Sequence, residues 1–228
     1  MKIPHPLLAV LATAITSQGA ALSPTTTSLP SPPLPPWYPL EPWQISALHS
    51  RNPHKSPYGV NASSLVLTVA NPKRVAAAPA PHGSGGGYVV FGNSTATCEI
   101  HWSTDSATPY GYSSVACTPA QLDGNGQGGD TYVPYWTMTL NEVHEDLSSP
   151  GDHYLALSFE LVHNATVYGQ KAYKRMTGAV TLRSAGAGAN LQGNCGDGAN
   201  GECVYDLKDG AAPVLFQPTL QECRFACG

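Results

Sequence analysis

The chain has 228 residues, a formal net charge of −4 at pH 7 and only 11% charged residues. A weakly acidic chain of this kind lacks the basic patch that nucleic acids attract, so we expect no nucleic-acid partner. The sequence contains no run approaching the ~18 apolar residues that a membrane-crossing helix needs, which predicts no membrane span.

Residues 1–21 have the organisation of a secretory signal peptide. Lys2 provides a positive start, residues 7–15 form a short apolar stretch, and residues 19–21 are small, as signal-peptide cleavage requires. A buried N-terminal helix is the alternative, which the two prolines near the start disfavour. We therefore expect a secreted, extracellular protein.

Residues 22–42 contain eight prolines, a content that excludes a helix or a central strand. We expect an extended, proline-rich leader that serves as a spacer or a removable pro-segment. The alternative is a polyproline ligand for an aromatic groove, and no second feature supports it.

Alternating apolar and polar residues predict a series of short strands between residues 43 and 217. They are 43–47, 64–70, 88–91, 97–102, 113–117, 135–140, 154–162, part of 173–182, and short strands around Val204 and Val214. Residues 171–176 could instead form a helical turn. The pattern predicts an all-β fold, an antiparallel β-barrel or sandwich that forms a single, disulfide-stabilised domain.

The clearest of these strands is 154–162. Its predicted inward-facing residues are Leu155, Leu157, Phe159 and Leu161, and Ser158 and Glu160 are predicted to face outward. Asn164 is expected in the turn that follows. Three segments rich in glycine, alanine or proline are expected as loops, namely 76–87, 122–130 and 184–201.

The six cysteines are an even number, which is typical of disulfide bonding in an exported chain. Cys98 and Cys117 end a predicted hairpin, in which residues 113–117 pair back on the strand 97–102, and a disulfide would clamp it. The later cysteines allow three pairings; they are Cys195, Cys203, Cys223 and Cys227. The last two lie in a cysteine-containing tail, residues 218–228, after the expected β-barrel domain of residues 43–217.

Three sequons predict N-glycosylation at surface positions, with Asn61, Asn93 and Asn164 as the acceptors. The sequence offers no recognisable catalytic motif, and we predict no catalytic residue, no cofactor and no metal. The densest polar cluster comprises Glu142, His144, Glu145 and Asp146. These side chains suit metal binding or acid–base chemistry, but the cluster runs into Ser-Ser-Pro-Gly and is predicted to be a solvated turn.

Residues 123–128 resemble the first half of a calcium-binding loop. Pro134 occupies the position at which such a loop needs a bidentate carboxylate, so we predict no calcium site.

The order of these features resembles a known family. Five features follow one another along the chain: a strand opening on Trp43, a strand at 65–69 that ends in Asn71-Pro72, the Cys98-to-Cys117 segment, the long strand 154–161, and the late Cys195 to Cys203 pair. This order is similar to that of the secreted fungal proteins typified by the major allergen of Alternaria. The resemblance covers residues 43–207, and it implies a β-barrel with two intrachain disulfides and without enzymatic activity.

The resemblance also implies the disulfides Cys98–Cys117 and Cys195–Cys203, which would leave Cys223 to pair with Cys227. A ladder that joins the tail to the glycine-rich loop, Cys195–Cys227 with Cys203–Cys223, remains open. The chain departs from the family in its leader, in the insertion at 76–87 and in its tail. It has no cysteine before Cys98, so the resemblance does not carry over a disulfide-linked dimer.

The first functional hypothesis is a secreted, non-catalytic β-barrel binding protein, a fungal effector or elicitor that acts on a host. Its partners would be a host defence protein, a small apolar ligand or a cell-wall glycan. The alternative is a secreted carbohydrate-active enzyme or a cell-wall carbohydrate-binding module, which exposed Tyr110, Tyr112 and Tyr135 would favour. A cell-wall structural protein is a third hypothesis.

Overall fold

The computed structural model describes residues 40–53, 62–80, 87–103, 113–120, 132, 134–145, 153–195 and 202–227. All of them belong to one compact unit, Pro33–Gly228. The regular structure within these ranges consists of strands without a helix, so the all-β prediction is confirmed. The described residues accordingly include no helix that is long and apolar enough to cross a membrane.

The described residues form fourteen strands. In chain order they are β1 (Trp43–Pro53), β2 (Ala62–Asn71), β3 (Val75–Pro79), β4 (Tyr88–Phe91), β5 (Ser94–Ser103), β6 (Ser113–Ala116), β7 (Thr118–Pro119), β8 (Tyr135–Glu145), β9 (His153–Val167), β10 (Gln170–Arg183), β11 (Leu191–Cys195), β12 (Glu202–Leu207), β13 (Val214–Phe216) and β14 (Thr219–Arg224).

The strands pair into two larger sheets and a separate hairpin. The first sheet has the order β11-β12-β1-β2-β5-β7, with β13 also paired to β1, and the second has the order β14-β10-β9-β8-β6. Strands β3 and β4 pair with each other. All these pairings are antiparallel, as predicted. Within the described residues neither order returns to its first strand, so both sheets have open edges.

An aromatic cluster connects the two sheets at the centre of a shared core. The Trp43 ring of the first sheet meets the Trp136 ring of the second edge-on, with centroids 4.7 Å apart. Phe216 lies 5.7 Å from Trp43 and 5.2 Å from Phe159, again between ring centroids. Such aromatic pairs stabilise by about 0.5–1.5 kcal/mol beyond their area burial, so this cluster holds the sheets together.

The inward faces predicted from alternation are confirmed in three strands. Leu155, Leu157, Phe159 and Leu161 of β9 are at most 2% exposed. The same holds for Leu65, Leu67 and Val69 of β2 and for Trp136, Met138 and Leu140 of β8. A period of two places every second residue on one face, and burial of that face fixes the register.

Alternation predicts that Trp43, Ile45 and Ala47 share one face of the first strand, and this is wrong for Ala47 because β1 contains a bulge. The register with β2 shifts between Ile45 and Ala47, and the extra residue exchanges the two faces. Ile45 is fully buried as expected, but Ala47 is exposed and Leu48 takes the inward position with 5% exposure.

The predicted hairpin between the strands at 97–102 and 113–117 is also wrong. Residues Ser113–Ala116 pair with β8 in the second sheet, and β5 pairs with β2 and β7. In β6 the side chain of Val115 packs against the shared core, which favours this pairing over a local one. Cys117 therefore lies where the chain passes from the second sheet to the first.

Two expected loops contain strands. Residues 76–79 belong to β3, whose first four residues are buried, and residues 191–195 form β11. Both segments are rich in small residues or glycine, so composition hides the alternation that marks a strand. The low-complexity residues 81–86 lie outside the described part of the chain.

Strands β9 and β10 extend further than predicted. Asn164 lies within β9, opposite Tyr173, and the turn falls at Tyr168 and Gly169. The helical turn considered for 171–176 is wrong, because these residues belong to β10. The tail segment Thr219–Arg224 is strand β14, which pairs with β10.

Candidate functional site

The outer face of the second sheet is polar because its apolar residues occupy the inner face. Two rows of side chains cross the sheet on this side. Pairing aligns Ser114, Thr139, Ser158 and Ala179 in one row, and Ala116, Thr137, Glu160, Thr177 and Thr219 in the next. Residues aligned in this way lie about 5 Å apart, so their polar groups form one continuous surface.

These rows line a groove with a volume of about 630 Å³. Six of the described residues that line it carry hydroxyl groups, namely Ser114, Thr137, Thr139, Ser158, Thr177 and Thr219. A hydroxyl both donates and accepts hydrogen bonds, so this wall can match a ligand that itself carries many hydroxyls. We call this surface the hydroxyl groove.

Hydrogen bonds fix several side chains of the hydroxyl groove before any ligand arrives. Asn141 Nδ2 donates to Ser158 Oγ at 2.7 Å, and Gln221 Nε2 donates to Thr177 Oγ1 at 2.9 Å. Arg175 donates through two nitrogens to Glu160 Oε2, at 2.7 and 2.6 Å. This pairing raises the pKa of Arg175, and the guanidinium keeps the carboxylate turned toward β10.

An exposed aromatic ring extends the hydroxyl groove along β8. Tyr135 is 52% exposed, and it shares the outward face of β8 with Thr137 and Thr139. A tyrosine ring offers an apolar face and a polar tip to a ligand. The other tyrosines named as sugar-binding candidates, Tyr110 and Tyr112, lie outside the described residues.

A second candidate is a buried polar cluster beneath the β3–β4 hairpin. The His163 ring stacks on Phe91 at a centroid distance of 4.8 Å, and Tyr132 lies 5.5 Å from His163. Both His163 ring nitrogens and the Tyr132 hydroxyl are buried, and the described part of the chain offers them no hydrogen-bond partner. Burial lowers the pKa of His163 to about 3, with a smaller contribution from Lys174, so the imidazole is neutral at pH 7.

Lys174 lies opposite His163 in the β9–β10 pair and is fully buried. Burial lowers its pKa to about 8. Sequence reasoning missed both residues, although alternation places His163 on the face of Leu161 and Lys174 on the face of Met176. The signal that could have identified them in the sequence is a charged or polar residue at an inward-facing position of a long strand.

Two of the disulfides are seen directly. Cys98 is bonded to Cys117, as predicted, and Cys223 is bonded to Cys227. Cys203 is buried and disulfide-bonded, and it lies directly opposite Cys195 in the β11–β12 pair. The Cys195 side chain lies outside the described residues. This arrangement fits the two local pairings, Cys195 with Cys203 and Cys223 with Cys227. It excludes the ladder, because Cys223 and Cys227 are already bonded to each other.

The other predicted site residues are distributed around the molecule. Asn93 and Asn164 are exposed, as an acceptor must be, and Asn61 lies outside the described residues. The segment 142–145 belongs to β8 rather than to a turn, although its charged side chains are not among those described. Residues 123–128, considered above as a calcium-binding loop, also lie outside the described residues. Among the described residues, no group of three or more His, Cys, Asp or Glu side chains could hold a metal ion.

Comparison with known proteins finds no matching family model, no matching curated protein and no matching solved structure.

Proposed function

We propose that this chain is a secreted, non-catalytic binding protein whose hydroxyl groove recognises a cell-wall glycan. The observation that supports this function is the alignment of six hydroxyl side chains along one groove. Two open sheets with a shared core favour the sandwich form of the expected fold. Thr137, Thr139 and Ser158 are only half-buried, so their side chains on this sheet face are open to a ligand. The exposed ring of Tyr135 adds a surface on which a sugar ring can stack.

The composition of the hydroxyl groove supports a glycan over a small apolar ligand. Pockets for apolar ligands are lined mainly by hydrophobic and aromatic side chains with few polar groups. Here six of the described lining residues are threonine or serine, whose hydroxyls an apolar ligand would leave unpaired. Each unpaired group would cost about 1–3 kcal/mol, so an apolar ligand is disfavoured.

The same surface supports binding over hydrolysis. Glycosidases place two carboxylic acids on opposite sides of the scissile bond. Among the described residues that line the hydroxyl groove, Glu160 is the one that carries a carboxylate, and Arg175 already donates to it through two nitrogens. An effector or elicitor role toward a host remains part of the proposal, with the glycan as the molecule first recognised.

Binding to insoluble polysaccharides tests the proposal. Purified full-length chain is incubated with chitin, cellulose and β-1,3-glucan, and the bound fraction gives an affinity. Thr139→Val keeps the shape but removes a hydroxyl, and Tyr135→Ala removes the stacking surface. We expect each to weaken binding by about 3- to 10-fold, the equivalent of one net hydrogen bond or ring contact.

Thr97→Val is the matched control, because Thr97 is an exposed threonine on β5 of the first sheet. It should bind like the unmodified chain. Equal weakening in Thr97→Val and Thr139→Val, or no retention on any of the three polysaccharides, would contradict the assignment.

A further inference from the structure

A short disulfide ring at the end of β14 covers the buried lysine. Pairing places His163, Lys174 and Cys223 on one line across β9, β10 and β14. Lys174 Nζ lies 3.1 Å from Cys223 Sγ and donates to the Ala226 carbonyl oxygen at 2.6 Å. The Cys223–Cys227 bond joins residues only four apart, so the turn that it closes is fastened directly above the lysine.

The two sulfur atoms of this ring are in different surroundings. Cys227 is exposed, whereas Cys223 is partly buried and has the lysine nitrogen beside it. The pKa of Lys174, lowered by burial to about 8, leaves the ammonium form predominant at pH 7. A positive charge at this distance stabilises a cysteine thiolate and lowers the pKa of the thiol.

The backbone of the ring is held in an unfavourable conformation. Phe225 and Ala226 have φ angles of 60° and 43°, in the left-handed region that residues other than glycine rarely adopt. Two such residues in succession persist only when the surrounding structure holds them. Opening the ring would let both relax, which favours reduction of this disulfide.

We propose that Cys223–Cys227 is a thiol-exchange site for low-molecular-weight thiols, and that Lys174 stabilises the thiolate that leaves from Cys223. An incoming thiolate attacks Cys227 Sγ and forms a mixed disulfide there. The Cys223–Cys227 bond breaks, and its electron pair passes to Cys223 Sγ beside the ammonium. A second thiol molecule then attacks the mixed disulfide, which releases Cys227 as a thiolate and the two small molecules as their disulfide.

The other described cysteines provide a contrast within the same chain. Cys98 and Cys117 are 0% and 6% exposed, and Cys203 is 0% exposed. A buried disulfide gives an attacking thiolate no access until the fold opens. The site is independent of the hydroxyl groove, so the two proposals stand or fall separately.

The order of reduction in the unmodified chain is the first test. The full-length protein is exposed to reduced glutathione at pH 7, quenched by acid at intervals, and mapped by alkylation and mass spectrometry. We expect the ring to open at least 10-fold faster than Cys98–Cys117, with the first glutathione adduct on Cys227. An adduct mainly on Cys223, or opening of both bonds at the same rate, would overturn the proposal.

Removal of the lysine is the second test. We expect Lys174→Met to slow ring opening by about 3- to 10-fold, the effect of a less stabilised leaving thiolate. In the reduced protein at pH 7 it should also lower the thiolate absorbance at 240 nm.

Lys171→Met is the matched control, because Lys171 is an exposed lysine on the same strand. An unchanged rate and thiolate absorbance in a folded Lys174→Met protein would refute the role of the lysine. If that variant does not fold, the order of reduction in the unmodified chain decides.

Discussion

Replacement of Gly178 by alanine tests the packing of the aromatic cluster. Gly178 lies on β10, opposite Phe159. A Cβ atom at this position would lie 3.0 Å from Phe216 Cε2 and 3.1 Å from Trp43 Cε3. Trp43 is fully buried and meets Trp136 at 4.7 Å, so neither ring can move away without disturbing the shared core. The added methyl group must therefore displace an aromatic ring.

The expected cost follows from two opposing effects. Overpacking of a well-filled core costs about 1–3 kcal/mol. Alanine also restricts the unfolded chain, which offsets about 0.4–1 kcal/mol. The net destabilisation of roughly 1–2 kcal/mol should lower the thermal midpoint by about 2–8 °C in a chain of this size. Urea unfolding followed by tryptophan fluorescence measures the free energy change independently.

Gly92→Ala is the matched control, because a Cβ there would have no heavy atom within 4 Å. We expect this variant to be as stable as the unmodified chain or slightly more stable. Combining Phe216→Leu with Gly178→Ala should cost less than the sum of the two single losses, since the shorter side chain removes one of the close contacts. If Gly178→Ala is no more destabilising than Gly92→Ala, the proposed packing is wrong.

Three further predictions address register, pH and the C-terminal strand. Phe159→Ala should cost about 3–5 kcal/mol in urea unfolding and Ser158→Ala much less; equal losses would mean that the faces of β9 are exchanged. Since the pKa of His163 falls from 6.5 to about 3 in the folded chain, the unfolded chain binds more protons between these values, and the free energy of unfolding should fall as the pH is lowered through them. His163→Gln should flatten that dependence, and an unchanged pH profile would contradict it. Deletion of 219–228 removes β14, which pairs with β10 and covers Lys174, so we expect calorimetry to show a thermal midpoint lower by several degrees; an unchanged midpoint would mean that this strand contributes little to stability.

Alternation predicts which side chains face the core, because that pattern is local to each strand. Leu157 and Phe159 lie on the predicted inward face for this reason, and both are at most 2% exposed. The same alternation displays Thr137 and Thr139 on the opposite face. These two threonines meet Ser158 in one groove because of the register between β8 and β9. The sequence of a single strand does not determine that register.

Features that depend on long-range pairing could not be predicted. The bulge after Ile45 exchanges the faces of β1 without a proline or glycine to mark it. Residues 113–116 pair with β8 rather than with β5, and in this position Val115 packs against the shared core. β14 and the turn at Ala226 cover Lys174, and nothing in the sequence marks the tail as a segment that folds back.

The most direct test of the central claim is a map of the ligand-binding surface in solution. The isotope-labelled chain is titrated with hexasaccharides of chitin, cellulose and β-1,3-glucan, and backbone amide shifts are followed by NMR. We predict that one of these ligands shifts the amides of residues 135–141, 158–160 and 175–179, which form the hydroxyl groove and its border, and leaves the first sheet unchanged. Shifts confined to the first sheet, or none with any hexasaccharide at millimolar concentration, would contradict glycan binding at this face.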